Sequence, residues 1–221
     1  MTALRPELSE LPLRMRGLDV DDRGYPVPWF VAWVDGKPEF RVMDARKWWE
    51  AVRRKVCWVC GQHLGANLAF ILGPMCAINR TISEPPSHRQ CAEWSIRNCP
   101  FLSRPHMRRR ENDMPEDAQD AAGIGIRRNP GVLLLWIAKD YDVFNDGHGK
   151  PLIRVGDPLE YEWWCEGRPA TREEVEASVE SGLPLLEAVA RKEGPDALAE
   201  LARRKQEATQ FYPAAAVGIG A

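Results

Sequence analysis

The chain reads as short apolar blocks separated by turn and cap signals. Pro26 and Pro28 lead into Trp29 to Val34, a six-residue apolar run of strand length. Asp35-Gly36 follows, a dipeptide that favours a tight hairpin because both positions tolerate positive φ. Phe40, Val42 and Asp44 fit the return strand. Asp44 then stands where its carboxylate can cap a helix over Ala45 to Lys55, with Trp48, Val52 and Trp49 as its inward candidates. The basic end of that helix, Arg53-Arg54-Lys55, suits the negative pole of the helix dipole.

Further on, Leu68 to Leu72 reads as a buried strand. Gly73 to Thr81 reads as a polar loop, and Pro85-Pro86 precedes a helix over His88 to Asn98 that Cys99-Pro100 ends. Val132 to Ala138, the longest apolar run, predicts another strand, followed by strands at Tyr141 to Phe144, Pro151 to Val155 and Leu159 to Trp164. Thr171 and Glu174 form a capping box that opens a helix to about Ser181. Two more helices are expected at Leu185 to Lys192 and Asp196 to Thr209, with Gly182 and Gly194 stopping the helices before them. Residues 36–44 and 149–157 share six of nine identities, as two hairpin return strands in similar surroundings would.

The expected fold class is α+β: a zinc-stapled N-terminal module, then antiparallel strands followed by C-terminal helices. The boundaries are a flexible arm over 1–24, a zinc-binding module over 25–103, a linker or mobile loop over 104–130, a strand-then-helix module over 131–212 and a tail over 213–221. The two modules are expected to share one sheet through their return strands.

Composition narrows the class. The chain has 221 residues, 44% hydrophobic and 28% charged, with nine Trp, which is a globular composition. Thirty basic against 32 acidic residues leave a net charge of -2, so no overall field draws nucleic acid to it. The opening residues lack the apolar core of an export signal. No run approaches the ~20 apolar residues of a membrane span. The expectation is a cytoplasmic protein in a reducing compartment, where six cysteines are not a disulfide framework.

Five of the six cysteines fall between residues 57 and 99. Cys57-Trp58-Val59-Cys60-Gly61 lets two thiolates curl around one ion, and the glycine lets the backbone turn after the second. His88-Arg89-Gln90-Cys91 repeats the gap at a helix start, where residues three apart share a face and the dipole favours a thiolate. The expected metal ligands are Cys57, Cys60, His88 and Cys91, holding zinc. Cys76 and Cys99 are either buried apolar residues or replacement ligands, and His63 and His106 could join a second site. Five clustered cysteines keep an iron-sulfur cluster open, and a Cys-x-x-Cys keeps a redox role open. Cys165, beside Trp163-Trp164, reads as core.

A knuckle, a hairpin-like middle and a helix carrying the last two ligands resembles the treble-clef zinc fingers over residues 57–99. Arg23 to Phe30, Cys57 to Gly61, Gly73 to Cys76 and Cys99 to Leu102 also resemble a group of proteins from bacteria and their phages. That resemblance implies an architecture and no particular chemistry.

Arg80, Arg89, Arg97 and Arg104, with Arg108 to Arg110, form a candidate basic rim for nucleic acid, and Trp58 and Trp94 are candidate stacking faces. An acidic run from Glu111 to Asp120 counters that rim. The loop at Gly73 to Thr81 is expected to pack over the zinc. Gly123-Ile124-Gly125 lacks the third glycine of a dinucleotide fingerprint, and no zinc-protease or zinc-deaminase pattern occurs. A His-Asn-His type nuclease would need a histidine base before its asparagine strand, and His63 is the one candidate in the middle segment. Two functions remain: a zinc-containing binding protein that contacts nucleic acid or another protein, and a metal-supported enzyme such as a nuclease. The oligomeric state is not readable from the sequence.

Overall fold

The computed structural model describes residues 2–104, 107–108, 112–114, 122, 128–147 and 149–215. His106, His148, Arg109, Arg110 and most of the acidic run lie outside the described residues, as do Gly123 to Gly125 and residues 216–221 of the tail.

The described residues form a mixed fold of helices and antiparallel sheets. A hairpin, β1 (Val31–Val34) and β2 (Lys37–Met43), precedes α1 (Ala45–Arg54). The turn joins Val34 to Lys37 through Asp35 (φ 49°) and Gly36 (φ 74°), both left-handed as the two-residue hairpin requires. Asp44 caps α1 by accepting the Arg46 N–H at 2.9 Å. Next come β3 (Leu68–Leu72), α2 (Pro74–Asn79), β4 (Thr81–Ile82), α3 (Arg89–Asn98) and α4 (Pro100–Ser103). The remainder holds β5 (Val132–Ala138), β6 (Tyr141–Asn145), β7 (Pro151–Val155), β8 (Pro158–Cys165), β9 (Arg168–Pro169), α5 (Arg172–Glu193) and α6 (Pro195–Ala208).

The central sheet has the order β3-β5-β8-β9 and a second sheet the order β4-β7-β6. β5 is buried at all seven positions because both faces are covered. Leu133, Leu135 and Ile137 meet Ala92 and Ile96 of α3. Leu134, Trp136 and Ala138 belong to the main core with Met75 and Ile78 of α2, Val175 and Val179 of α5 and Leu201 of α6. Covering on both sides is why this strand is a continuous apolar run and not an alternating one. The segments before and after residue 104 share the central sheet through β3 pairing with β5. The two return strands, β2 and β7, lie in different sheets.

Three sequence expectations change here. Residues 2–24, read as a flexible arm, pack onto the cysteine segment: Leu11 and Met15 are buried, and the Trp94 indole donates to the Ser9 carbonyl at 3.1 Å. Gly73 to Asn79 is not an open loop over the cysteine segment. Pro74 sits in the first turn of α2, where its missing N–H costs nothing, and the helix is buried in the main core. The helix expected to stop at Gly182 continues as one 22-residue α5, with Pro184 inside it. Gly182 is buried against Met75, whose side chain lies 3.0 Å from where a Cβ would sit, so this glycine is a close-packing residue. Gly194 does end α5, with φ 115°.

Candidate metal centre

The knuckle is built by backbone pairing. The Cys57 N–H donates to the Gln62 carbonyl at 2.7 Å, Gly61 N–H to Cys57 at 2.8 Å and Leu64 N–H to Lys55 at 2.8 Å. Gly61 has φ 71°, and the Trp29 indole lies 2.6 Å from where a Cβ would be placed. Both the left-handed backbone and the ring demand glycine there. The other two ligands arrive from the far side of β3. Ala69 and Ser87 exchange N–H to carbonyl bonds at 2.9 and 2.8 Å, and Trp58 N–H donates to the Pro86 carbonyl at 3.0 Å. Those bonds fix the segment that ends at His88, the N-cap of α3, with Cys91 in the first turn.

One ligand atom from each of Cys57, Cys60, His88 and Cys91 falls within 4.8 Å of all the others, an arrangement that could hold a metal ion. The His88 Nδ1 is 3.4 Å from the Cys60 sulfur and 3.9 Å from that of Cys91. Its Nε2 lies 2.9 Å from the His63 carbonyl, which can only accept. Nε2 therefore carries the hydrogen and the Nδ1 lone pair faces the sulfurs, the tautomer a metal-binding imidazole needs. The Cys57 sulfur accepts from the Cys60 N–H at 3.4 Å and the His88 N–H at 3.3 Å.

The electrostatics of the three thiols follow from this crowding. The Cys57 thiol is held well below its ordinary range, chiefly by hydrogen bonds from the Cys60 and Cys91 thiols, with a backbone N–H adding to them. Cys60 is pushed up to about 11 by its contact with Cys57. Cys91 is pushed up by Cys57 first and Cys60 second, and His88 is raised by Cys57. Three thiolates side by side repel, and a cation at their centre is what relieves that repulsion. The surroundings are apolar: Leu11, Met15, Val59 and Trp94 pack with the three cysteines.

The other candidates lie elsewhere. Cys76 is on α2 against the main core, and burial pushes its thiol up to about 11. Cys99 sits between α3 and α4, also raised by burial. Neither joins the cluster among the described residues. His63 is exposed and contributes its carbonyl to His88. Cys165 is buried at the end of β8, raised to about 11 by burial first and Glu174 second. Accordingly, Cys76→Ser and Cys99→Ser are expected to leave the metal content of purified protein unchanged. Loss of metal from either, measured by elemental analysis, would move that cysteine into the ligand set.

Among the described arginines of the candidate rim, Arg80 stands apart from the others. Arg80 stacks over Trp136 on the α2 face of the central sheet, and Arg97 over Trp164 on the α3 face. Arg89 is ion-paired with Glu93 at 2.7 Å and also with Glu160. Arg104 is exposed after α4. Trp58 and Trp94, the expected stacking faces, are buried: Trp58 stacks on Phe30 at 4.9 Å, and Trp94 packs in the apolar cluster with Cys57, Cys60 and Cys91. The sequence missed the role of the N-terminal residues as a cover for the cluster. Leu8, Leu11, Met15 and Leu18 are spaced three and four apart, and that spacing was the available signal.

The fold and site together define an α+β protein with a buried Cys3His cluster able to hold a metal ion. Neither protein-family models, nor curated proteins, nor solved structures show a match to this chain. None of the described helices is long and apolar enough to cross a membrane.

Proposed function

We propose that the chain is a zinc protein whose metal is structural, and that it acts as a binding module. One observation carries this: the donor set is complete, with three thiols and an imidazole whose Nδ1 is aimed inward by the His63 carbonyl. Four protein ligands of sulfur and nitrogen suit tetrahedral zinc, whereas a catalytic zinc keeps one position for water. The module is of treble-clef type in its ligand placement, with two ligands on a knuckle and two at a helix start. It departs from that type in the middle, where α2 and β4 follow β3.

The chain's partner is another protein or nucleic acid. Arg80 stacks on the opposite face of the sheet from Arg97, and Arg89 is held by Glu93 and Glu160, which favours protein contact as the reading. The metal-supported nuclease gains no support from His63, whose backbone is what touches the cluster. Metal analysis with anomalous scattering at the zinc edge tests the proposal, and about one zinc per chain on all four ligands is expected. A brown protein absorbing near ~400 nm, the charge-transfer signature of an iron-sulfur cluster, would replace zinc with that cofactor.

A further inference from the structure

In the sheet β4-β7-β6, the strand β6 pairs with β7 on one side and with no described strand on the other. The pairing runs through Tyr141 to Asn145 in regular register, without a bulge. The ends of the hairpin fix which main-chain groups face outward. The Gly156 N–H donates to the Asp140 carbonyl at 3.1 Å, and the Asp146 N–H to the Lys150 carbonyl at 2.8 Å. Main-chain groups alternate in direction along a strand, so those of Asp142 and Phe144 also point to β7. Those of Tyr141, Val143 and Asn145 point away from it, and no described backbone group bonds to them. Natural edge strands are commonly blunted by proline, lysine or a bulge, and β6 contains none of these.

The side chains of this edge are also incompletely matched. Asp142 and Phe144 share a face with their register partners on β7, Arg154 and Leu152. Arg154 does not close on Asp142. Its guanidinium carbon lies 5.2 Å from the centre of the Phe144 ring. Both charged residues are exposed, and neither has an ion pair among the described residues. The cation is held over the ring, reaching past β6 toward the open edge. On the other face Val143 is 39% exposed, although its register partner Ile153 is fully buried.

We propose that β6 pairs with β6 of a second copy of the chain, antiparallel across a two-fold axis at Val143, joining two three-stranded sheets into one. Chemistry selects that register. The outward groups of Tyr141, Val143 and Asn145 must pair among themselves. Centring on Val143 sets Tyr141 against Asn145, Val143 against its own copy and Asp142 against Phe144, so the whole strand is matched. Shifting the axis to Asp142 sets that carboxylate against itself, and shifting it to Phe144 sets Asp142 against Asp146. Like charges directly opposite are destabilising. In the Val143 register each Asp142 lands beside the Phe144 ring over which the other copy's Arg154 already lies. An ion pair then forms on each side of the axis, and Val143 is covered. Asp140 meets Asp146 only beyond the strand ends, beside Lys139 in the chain and Lys150 across the hairpin. One short strand buries little area, so the dimer is weak and concentration-dependent. None of these residues belongs to the metal cluster, so pairing does not depend on zinc.

The test is sedimentation velocity of the purified full-length protein from about 10 μM to about 1 mM, the range in which a weak dimer forms. Wild type is expected to pass from monomer to dimer across it. Asp142→Arg and Arg154→Asp should each weaken the association by roughly tenfold or more, because each sets like charges where an ion pair was due. Mixed in equal amounts, the two variants should associate as wild type does, since one offers cations where the other offers anions. A rescue of that kind cannot arise within one chain. Melting curves and zinc content should match wild type, which separates this result from misfolding and from failure of the metal reading. Should either charge variant melt early, Val143→Lys gives the same reading by placing two cations on the axis. A wild type that stays monomeric to about 1 mM overturns the proposal, leaving the edge to another partner or to none. Undiminished dimerisation of the single variants, or a mixture no more associated than its components, overturns it as well.

Discussion

A strong chelator is expected to strip about one zinc per chain and to unfold the region around Cys57, Cys60, His88 and Cys91. Cys91→Ser should do the same with no chelator present. The reason is the size of the opposing terms. Structural zinc contributes an apparent ~10–16 kcal/mol of binding free energy at neutral pH, comparable with the ~5–15 kcal/mol that holds a whole domain folded. The apolar cluster around the ligands is small, with Leu11, Met15, Val59 and Trp94 as its buried members besides the cysteines. Without the ion, three crowded thiols and an imidazole would occupy the middle of that cluster. The disturbance should spread in two directions. The N-terminal residues lose their seat, since Ser9 is tied to Trp94 and Asn98. α3 also loses its anchor at the N-terminal end, while Ala92 and Ile96 keep it on the central sheet. Acid should mimic the chelator, because protons compete with the metal for thiolate and imidazole as pH falls. Circular dichroism and metal release followed together provide the measurement. A protein that loses its metal and keeps its full secondary structure and melting temperature would sink the structural role.

That Cys57, Cys60, His88 and Cys91 come together was legible in the sequence because a Cys/His pair at a two-residue gap on each half declares itself locally. The strands Leu68–Leu72 and Val132–Ala138 were legible too, since a strand covered on both faces is apolar throughout. What was not legible depended on distant partners. Gly182 and Pro184 are ordinary helix breakers in isolation, yet α5 runs through them, and the Met75 side chain that packs against Gly182 comes from a distant part of the chain. α2 was hidden by Gly73-Pro74, a turn signal that here opens a helix. The arginines were grouped by proximity in the chain, yet Arg80 stands with Arg203 and Arg204 in space and not with Arg89 or Arg97. Side chains on opposite faces of a sheet are separated by the sheet itself, and no local pattern in the sequence records which face each will take.

Trp136→Ala should produce the largest loss of stability of any single core substitution away from the metal. Trp136 is 0% exposed in the middle of β5 and heads the fully buried side chains by volume. Its ring meets Phe211 edge-on at 4.9 Å and carries the Arg80 guanidinium on its face. Its indole N–H donates to the Gly156 carbonyl at 2.9 Å. Truncating a buried Trp or Phe costs about 3–5 kcal/mol through lost transfer energy and the cavity left behind. Leaving the Gly156 carbonyl without its donor adds a further ~1–3 kcal/mol unless water reaches it. The sum approaches the whole stability of a typical domain, so the variant should melt far below wild type or fail to fold at all. Trp49→Ala provides the contrast: that ring is 44% exposed on α1, and surface changes of this kind stay within about 0.5 kcal/mol. Where enough Trp136→Ala folds to be measured, its metal content should match wild type, because Trp136 faces α2, α5 and α6 while the cluster is anchored by α3 on the other face. Denaturant midpoints of the two variants, with elemental analysis of each, decide the matter. A midpoint for Trp136→Ala no lower than that of Trp49→Ala would mean that the core does not centre on β5.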